Sequence, residues 1–260
     1  MAEGRRFGII HPLYLSFFSK ELYRDVAQNW KGYGILYLFS AVALCMIPFV
    51  LLIQSVSSDY LSREAPPIIT QLPAVTIQKG VLSIDRPEPY FVRDKKTGTP
   101  IILFDTLDKT DPPQKAKVPV LVLKTEIVVR GEHGEVRHFD LAGIDGFHAD
   151  SRLFFEWLDD FEDSFAAVFY PFAVLLSFIF RVLEVAVLAA VGGIFTRSRS
   201  VPLSYGALAR LSSIAMTPAM VVGAVFTLAG AAIPFWWIAG VPISFSYLYY
   251  GIKANSGASS

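Results

Sequence analysis

Residues 33–53, YGILYLFSAVALCMIPFVLLI, carry no charged side chain over 21 positions. The hydrocarbon core of a bilayer is crossed by about 20 apolar residues in a helix. Within it, backbone polar groups must be satisfied inside the segment, which leaves helices as the spanning form for runs of this length. Three further apolar runs follow, at about 165–195, at about 206–229, and at 235–252 (FWWIAGVPISFSYLYYGI). The expected fold class is therefore membrane α-helical with four spans, and a β-rich extramembrane domain inserted between spans one and two. Its segments are 1–32, a cytoplasmic amphipathic region; 33–56, span one; 57–163, a periplasmic β-rich domain; 164–252, a three-span bundle; and 253–260, a cytoplasmic tail. Composition agrees, at 53% hydrophobic and 18% charged, where soluble domains carry about a quarter charged residues.

The first run exceeds the 7–15 apolar residues typical of a signal peptide, and some thirty residues precede it, so it reads as an uncleaved anchor. Orientation follows from basic residues beside the spans. Arg5, Arg6, Lys20, Arg24 and Lys31 precede span one; Arg197, Arg199 and Arg210 surround the second connection; Lys253 follows the last span. With four spans these groups fall on one side, expected to be the cytoplasm. The other flank is acidic, with Asp159, Asp160, Glu162 and Asp163. Trp236 and Trp237 are expected at the outer interface, and Tyr247, Tyr249 and Tyr250 at the inner one. The expected location is the bacterial cytoplasmic membrane, with both termini inside.

HPLYLSFFSKELYRDVAQNW (11–30) has a helical apolar stripe, Leu15, Phe18, Leu22 and Val26, with Lys20, Glu21, Arg24 and Asp25 on the other face. It reads either as an interfacial helix on the membrane surface or as a helix packed on the protein's own bundle. In the insert, residues 74–84, 90–94, 100–106, 118–129 and 135–141 are β-branched and partly alternating. Turn-forming residues separate them, so a small antiparallel β-domain is expected.

The chemistry suggested by the residues is sparse. The single Cys45 rules out a disulfide within the chain. Formal net charge is zero, so bulk charge implies no nucleic-acid partner. FDT (104–106) reads as a strand ending in a turn. His138 with Asp140, and His148 with Asp150, are weak metal candidates alongside His133, since residues two apart on a strand share a face. No metal or cofactor is expected. There is no P-loop, H-E-x-x-H or G-x-S-x-G pattern, and no enzyme activity is expected.

FFSKELYRDV, GVLSIDRPEPYFV, ILFDT and LSYGALARLSSIAMTPAMV in combination resemble a bacterial membrane family of unknown function, some members of which are labelled maltodextrin-utilisation proteins. The last block is similar, more weakly, to the Yip1-type membrane domain. The resemblance implies a multi-pass cytoplasmic-membrane protein and carries over no catalytic residues.

Arg181 and Glu184 stand near the middle of the second apolar run, where ionisable groups are costly and usually functional or paired. Three positions apart on a helix they share a face. A structural clip is the preferred reading, a polar site the alternative, and Arg210 is expected to approach Glu184 from the next span. Ala186, Ala190 and Gly193, with Ala189, and Ala215, Ala219 and Gly223 have the spacing of close helix packing. Pro218 should kink its span. The expected partners are membrane lipids and a membrane or periplasmic protein. The expected role is a scaffold or accessory subunit of an envelope machine acting through the β-domain. A small permease or lipid carrier using Arg181 and Glu184 comes next, and a hydrolase using the His/Asp pairs last.

Overall fold

The structure, a computed structural model, describes residues 5–111, 117–131, 134–198, 203–231 and 233–256. His133 and Arg199 lie outside the described residues, as does the side chain of Trp237. The elements in chain order are α1 (Pro12–Leu15), α2 (Lys20–Asn29), α3 (Tyr33–Ile69), β1 (Val75–Gln78), β2 (Val81–Ile84), β3 (Tyr90–Arg93), β4 (Pro100–Phe104), β5 (Val120–Val122), β6 (Glu126–Arg130), β7 (Val136–Asp140), β8 (Phe147–Ala149), α4 (Ser151–Ser198), α5 (Tyr205–Ala215), α6 (Thr217–Leu228) and α7 (Trp236–Ser256). The chain divides into two compact units, Met1–Gln54 with Phe165–Ser260, and Ser55–Ser164.

Three helical stretches are long and apolar enough to cross a membrane: Tyr33–Ile69, Ser151–Arg197, and Tyr205–Leu228, the last comprising α5 and α6. Large apolar side chains are exposed along them, among them Leu44, Phe172, Phe180 and Val187. This points to a membrane protein, because water would not tolerate an apolar surface of that extent. Helix α7 has 21 residues, contains Pro242 and carries serines and tyrosines; it is not among the three.

Residues 11–30 form two helices rather than one. The Ser19 hydroxyl accepts a hydrogen bond from the Leu22 amide at 3.2 Å, an N-cap that starts α2 afresh. Phe18 lies in the break and is exposed, off the expected stripe. Leu22, Tyr23, Val26 and Trp30 are fully buried, in one core with Tyr37 of α3, Leu188 of α4, Leu211 of α5 and Leu248 of α7. Between the two readings of this segment, the structure has the helix packed on its own bundle. Asp25, expected on the polar face, is buried. Its carboxylate accepts from the amides of Arg6 and Phe7, from Asn29 Nδ2 and from Trp30 Nε1.

The Ser55–Ser164 unit holds two sheets, in orders β2-β1-β8 and β3-β4-β5-β6-β7. The stretch 74–84 is a hairpin, turning at Lys79 and Gly80, which have φ of 50° and 76°, as a two-residue turn of the primed type requires. A Cβ on Gly80 would stand 2.7 Å from the Ala142 Cα. The expectation of purely antiparallel strands fails at one place: β4 and β5 are parallel, with Leu103 opposite Leu121. Residues 105–119 connect them, and a connection of a dozen or more residues permits a crossover where a tight turn does not. Alternate residues of these strands serve opposite faces. Phe104 and Val122 join a core with Val75 and Val92, while Leu103 and Leu121 join one with Val118 and Val128.

Candidate functional site

Helix α4 buries a stripe at spacings of three and four: Val174, Val185 and Leu188 are all at most 9% exposed. Ser177, Arg181 and Glu184 continue that stripe. Their neighbours Phe180 and Leu183 point outward, at 71% and 60% exposure. Helical periodicity therefore turns the charged pair toward the bundle. Arg181 NH1 donates to Glu184 Oε2 at 2.6 Å, with side chains 25% and 21% exposed. Glu184 Oε1 is buried and has no hydrogen-bond partner among the described residues. The pair is formally neutral, and Arg181 makes no other hydrogen bond among the described residues.

Arg181 also lines a cavity of about 440 Å³, a size typical of small-molecule sites. Its walls come from α3 (Met46, Phe49), α6 (Met220, Phe226) and the α6–α7 turn with the start of α7 (Phe235, Trp236). Glu184 does not line it. Two of the other polar groups there are engaged: Trp236 Nε1 donates to the Ala219 carbonyl at 3.1 Å, and the Thr227 hydroxyl donates to the Gly223 carbonyl at 3.0 Å. The arginine thus presents its remaining donors within a largely apolar space, and the glutamate braces it from behind.

Arg210 does not complete this site. Its Nε donates to the Val26 carbonyl at 3.1 Å and its NH2 to the Ala27 carbonyl at 2.6 Å. These belong to the last turn of α2, whose carbonyls lack intrahelical partners and attract cations. Gly34 admits the arginine, since a Cβ there would stand 3.0 Å from Arg210 Cγ.

The small residues divide. Ala189, Ala215 and Ala219 are buried, but Ala186 and Ala190 are exposed and do not mediate close packing. Gly193 is only in loose reach of Leu208, at 3.9 Å from a would-be Cβ. The closer approach is at Gly192, not singled out from the sequence, where a Cβ would meet Leu208 and Leu248 at 3.3 Å. Ala189 and Gly192, not Ala186 and Ala190, hold the facing position. Gly223 receives Trp236, whose Nε1 would be 2.6 Å from a Cβ. At Pro218 the helix is divided: α5 ends at Ala215, α6 begins at Thr217, and the Thr217 hydroxyl shares a 2.6 Å hydrogen bond with Tyr37.

The His/Asp candidates go to separate places. His138 and Asp140 lie on β7 and His148 on β8, in different sheets. His138 Nδ1 contacts Glu126 at 2.8 Å, His148 Nδ1 contacts Thr76 at 3.0 Å, and Asp150 accepts the Leu153 amide at the start of α4. Among the described residues no three metal-ligating side chains converge.

Residues 10–252 match a family described as protein of unknown function, DUF1189, from before α1 to within α7. The chain belongs to the DUF1189 family. An uncharacterized protein of Rickettsia prowazekii, RP489, is 26% identical over 142 residues, which is 50% of this chain and 49% of that protein. The chain thus spans about half the length of that curated relative. No solved structure matches this DUF1189 protein. The family description names no activity, so the maltodextrin label and the Yip1 likeness gain no support from it.

Proposed function

We propose that this DUF1189 protein is a four-span protein of the bacterial cytoplasmic membrane, with cytoplasmic termini and a periplasmic 57–163. On this reading it works without catalysis, as a scaffold or accessory subunit of an envelope machine for lipid or glycan transport or assembly. The observation that carries the docking role is β7. It is the outer strand of the five-stranded sheet, all five of its residues are exposed, and Val136 and Phe139 are among them. An edge strand with free backbone groups is a template for adding a partner's strand. The test is co-purification from native membranes in mild detergent. A stoichiometric partner should accompany the wild type and be lost with Phe139→Glu. Repeated recovery of the protein alone counts against the proposal.

A second reading, a small permease or lipid carrier, is favoured by the Arg181-lined cavity among the membrane-type helices. Movement of a lipid between the leaflets of reconstituted vesicles is its test.

A further inference from the structure

The cavity beside Arg181 has features that select its occupant. Its walls are apolar and aromatic, so the ligand brings an apolar chain. Its charged donor is Arg181, which gives NH1 to Glu184 and keeps its other guanidinium N–H groups without a protein partner among the described residues; the Ser177 hydroxyl and the Cys45 thiol also line it. The ligand therefore brings acceptors. Glu184 has already neutralised the arginine at 2.6 Å. An anionic headgroup would leave one net negative charge among Phe49, Met220 and Phe226, at the high cost of an uncompensated charge out of water. A neutral acceptor incurs no such cost. The fork of a guanidinium places its donors side by side. It matches two neighbouring carbonyls better than carbonyls on opposite sides of a ring. The far side of a ring would need a second donor; the Trp236 and Thr227 protons are already committed to Ala219 and Gly223, and Ser177, one turn from Arg181 on the same face of α4, reaches the same side of a ligand as the guanidinium.

We propose that this cavity binds a neutral glycerolipid through its acyl-ester carbonyls, with Arg181 as donor, Glu184 as the positioning residue, and an acyl chain along Phe49, Phe226 and Phe235. This deepens the carrier reading but does not depend on transport: a lipid that binds and is not moved removes the carrier and leaves the binding site standing. Nor does it depend on a partner at β7.

The full-length protein in detergent is titrated by tryptophan fluorescence, because Trp236 lines the cavity. The probes are dioctanoylglycerol, its dioctyl ether analogue without carbonyls, dioctanoyl phosphatidic acid, and decylubiquinone. The expected result is saturable binding of dioctanoylglycerol, with the other three weaker by about tenfold or more, the loss of one good interaction of about 1.4 kcal/mol. Ala224→Phe fills the cavity without touching the charges, and Arg181→Met with Glu184→Leu removes the donor without leaving a lone charge; each should abolish the preference for the ester. Equal binding of the ether analogue, tighter binding of the phosphatidic acid or the quinone, or a preference that survives both variants overturns the proposal. The comparison among probes on wild-type protein decides it even if a variant fails to fold.

Discussion

Arg181 and Glu184 meet at 2.6 Å on a helix whose adjacent residues are phenylalanine, valine and leucine. Removing one member of a buried pair strands the other charge and costs about 3–5 kcal/mol, whereas replacing both with apolar residues is often near neutral. Glu184→Gln should therefore lower the melting temperature in detergent sharply, and Arg181→Met with Glu184→Leu should recover most of the loss, a non-additivity that marks direct coupling. If every single variant melts like the wild type, the pair is hydrated and is no clip. Asp25 makes a separate prediction. Burial works to raise its carboxyl, but hydrogen bonds from Asn29, the Arg6 amide, Trp30 and the Phe7 amide outweigh this and hold it below the ordinary carboxylate value. A group depressed on folding contributes stability that is full above its unfolded value and lost as pH falls through its folded one. Stability should thus be level from pH 5 to 8 with respect to Asp25, and fall as pH drops below about 4. Asp25→Asn should cost about 1–3 kcal/mol at neutral pH and flatten part of that acid limb. The helix face shared by Arg181 and Glu184 was legible from their spacing. The Asp25 hub was not, because two of its four donors are backbone amides 18 and 19 residues away.

At the scale of elements, α2 is bolted to the helices that follow it. Arg210 of α5 caps its last turn, Arg24 Nε donates to the Ala254 carbonyl near the end of α7 at 2.8 Å, and Tyr23 packs where Gly251 leaves room. These partners are up to 230 positions apart in sequence. Periodicity marked α2 as amphipathic but left open whether lipid or protein covers its apolar face. The long helices were legible because apolar runs of that length have few alternatives; the parallel β4–β5 pair was not, because strand composition carries no direction. Arg210→Met should free the α2 carbonyls at a cost of about 1–3 kcal/mol. The N-terminal segment should then be cut by trypsin at Arg24 or Lys31 under conditions where the wild type resists, with the rest of the chain intact. Unchanged protection would mean that the apolar contacts of Leu22, Tyr23 and Val26 hold α2 without the cap.

For the whole molecule, the proposed fourth crossing by α7, which is less apolar than its neighbours, rests on contacts within the helical unit. Residues of α2 meet the middle of α5 through Arg210, and meet the end of α7 through Arg24 and through Asn255, whose side-chain amide donates to the Tyr23 carbonyl. Phe195, near the end of α4, stacks edge-on with Tyr249 of α7. The start of α7 lies instead with α6, where Trp236 contacts Ala219, Gly223 and Phe226. Helix α7 therefore returns from the far end of α6 to the end where α2 sits. The basic residues Arg24, Arg197, Arg210 and Lys253 belong to that same end, the end proposed to face the cytoplasm, where basic residues accumulate. If α5 with α6 crosses the bilayer, α7 crosses it back. Alkaline phosphatase, active only outside the cytoplasm, should be active when fused after residue 110 and inactive when fused at residue 198 or 255. Activity at 255 with none at 198 would mean that α7 does not cross, leaving three spans and an external C-terminus. Activity at 198 with none at 110 would invert the orientation and put the β-domain, with its open β7 edge, in the cytoplasm.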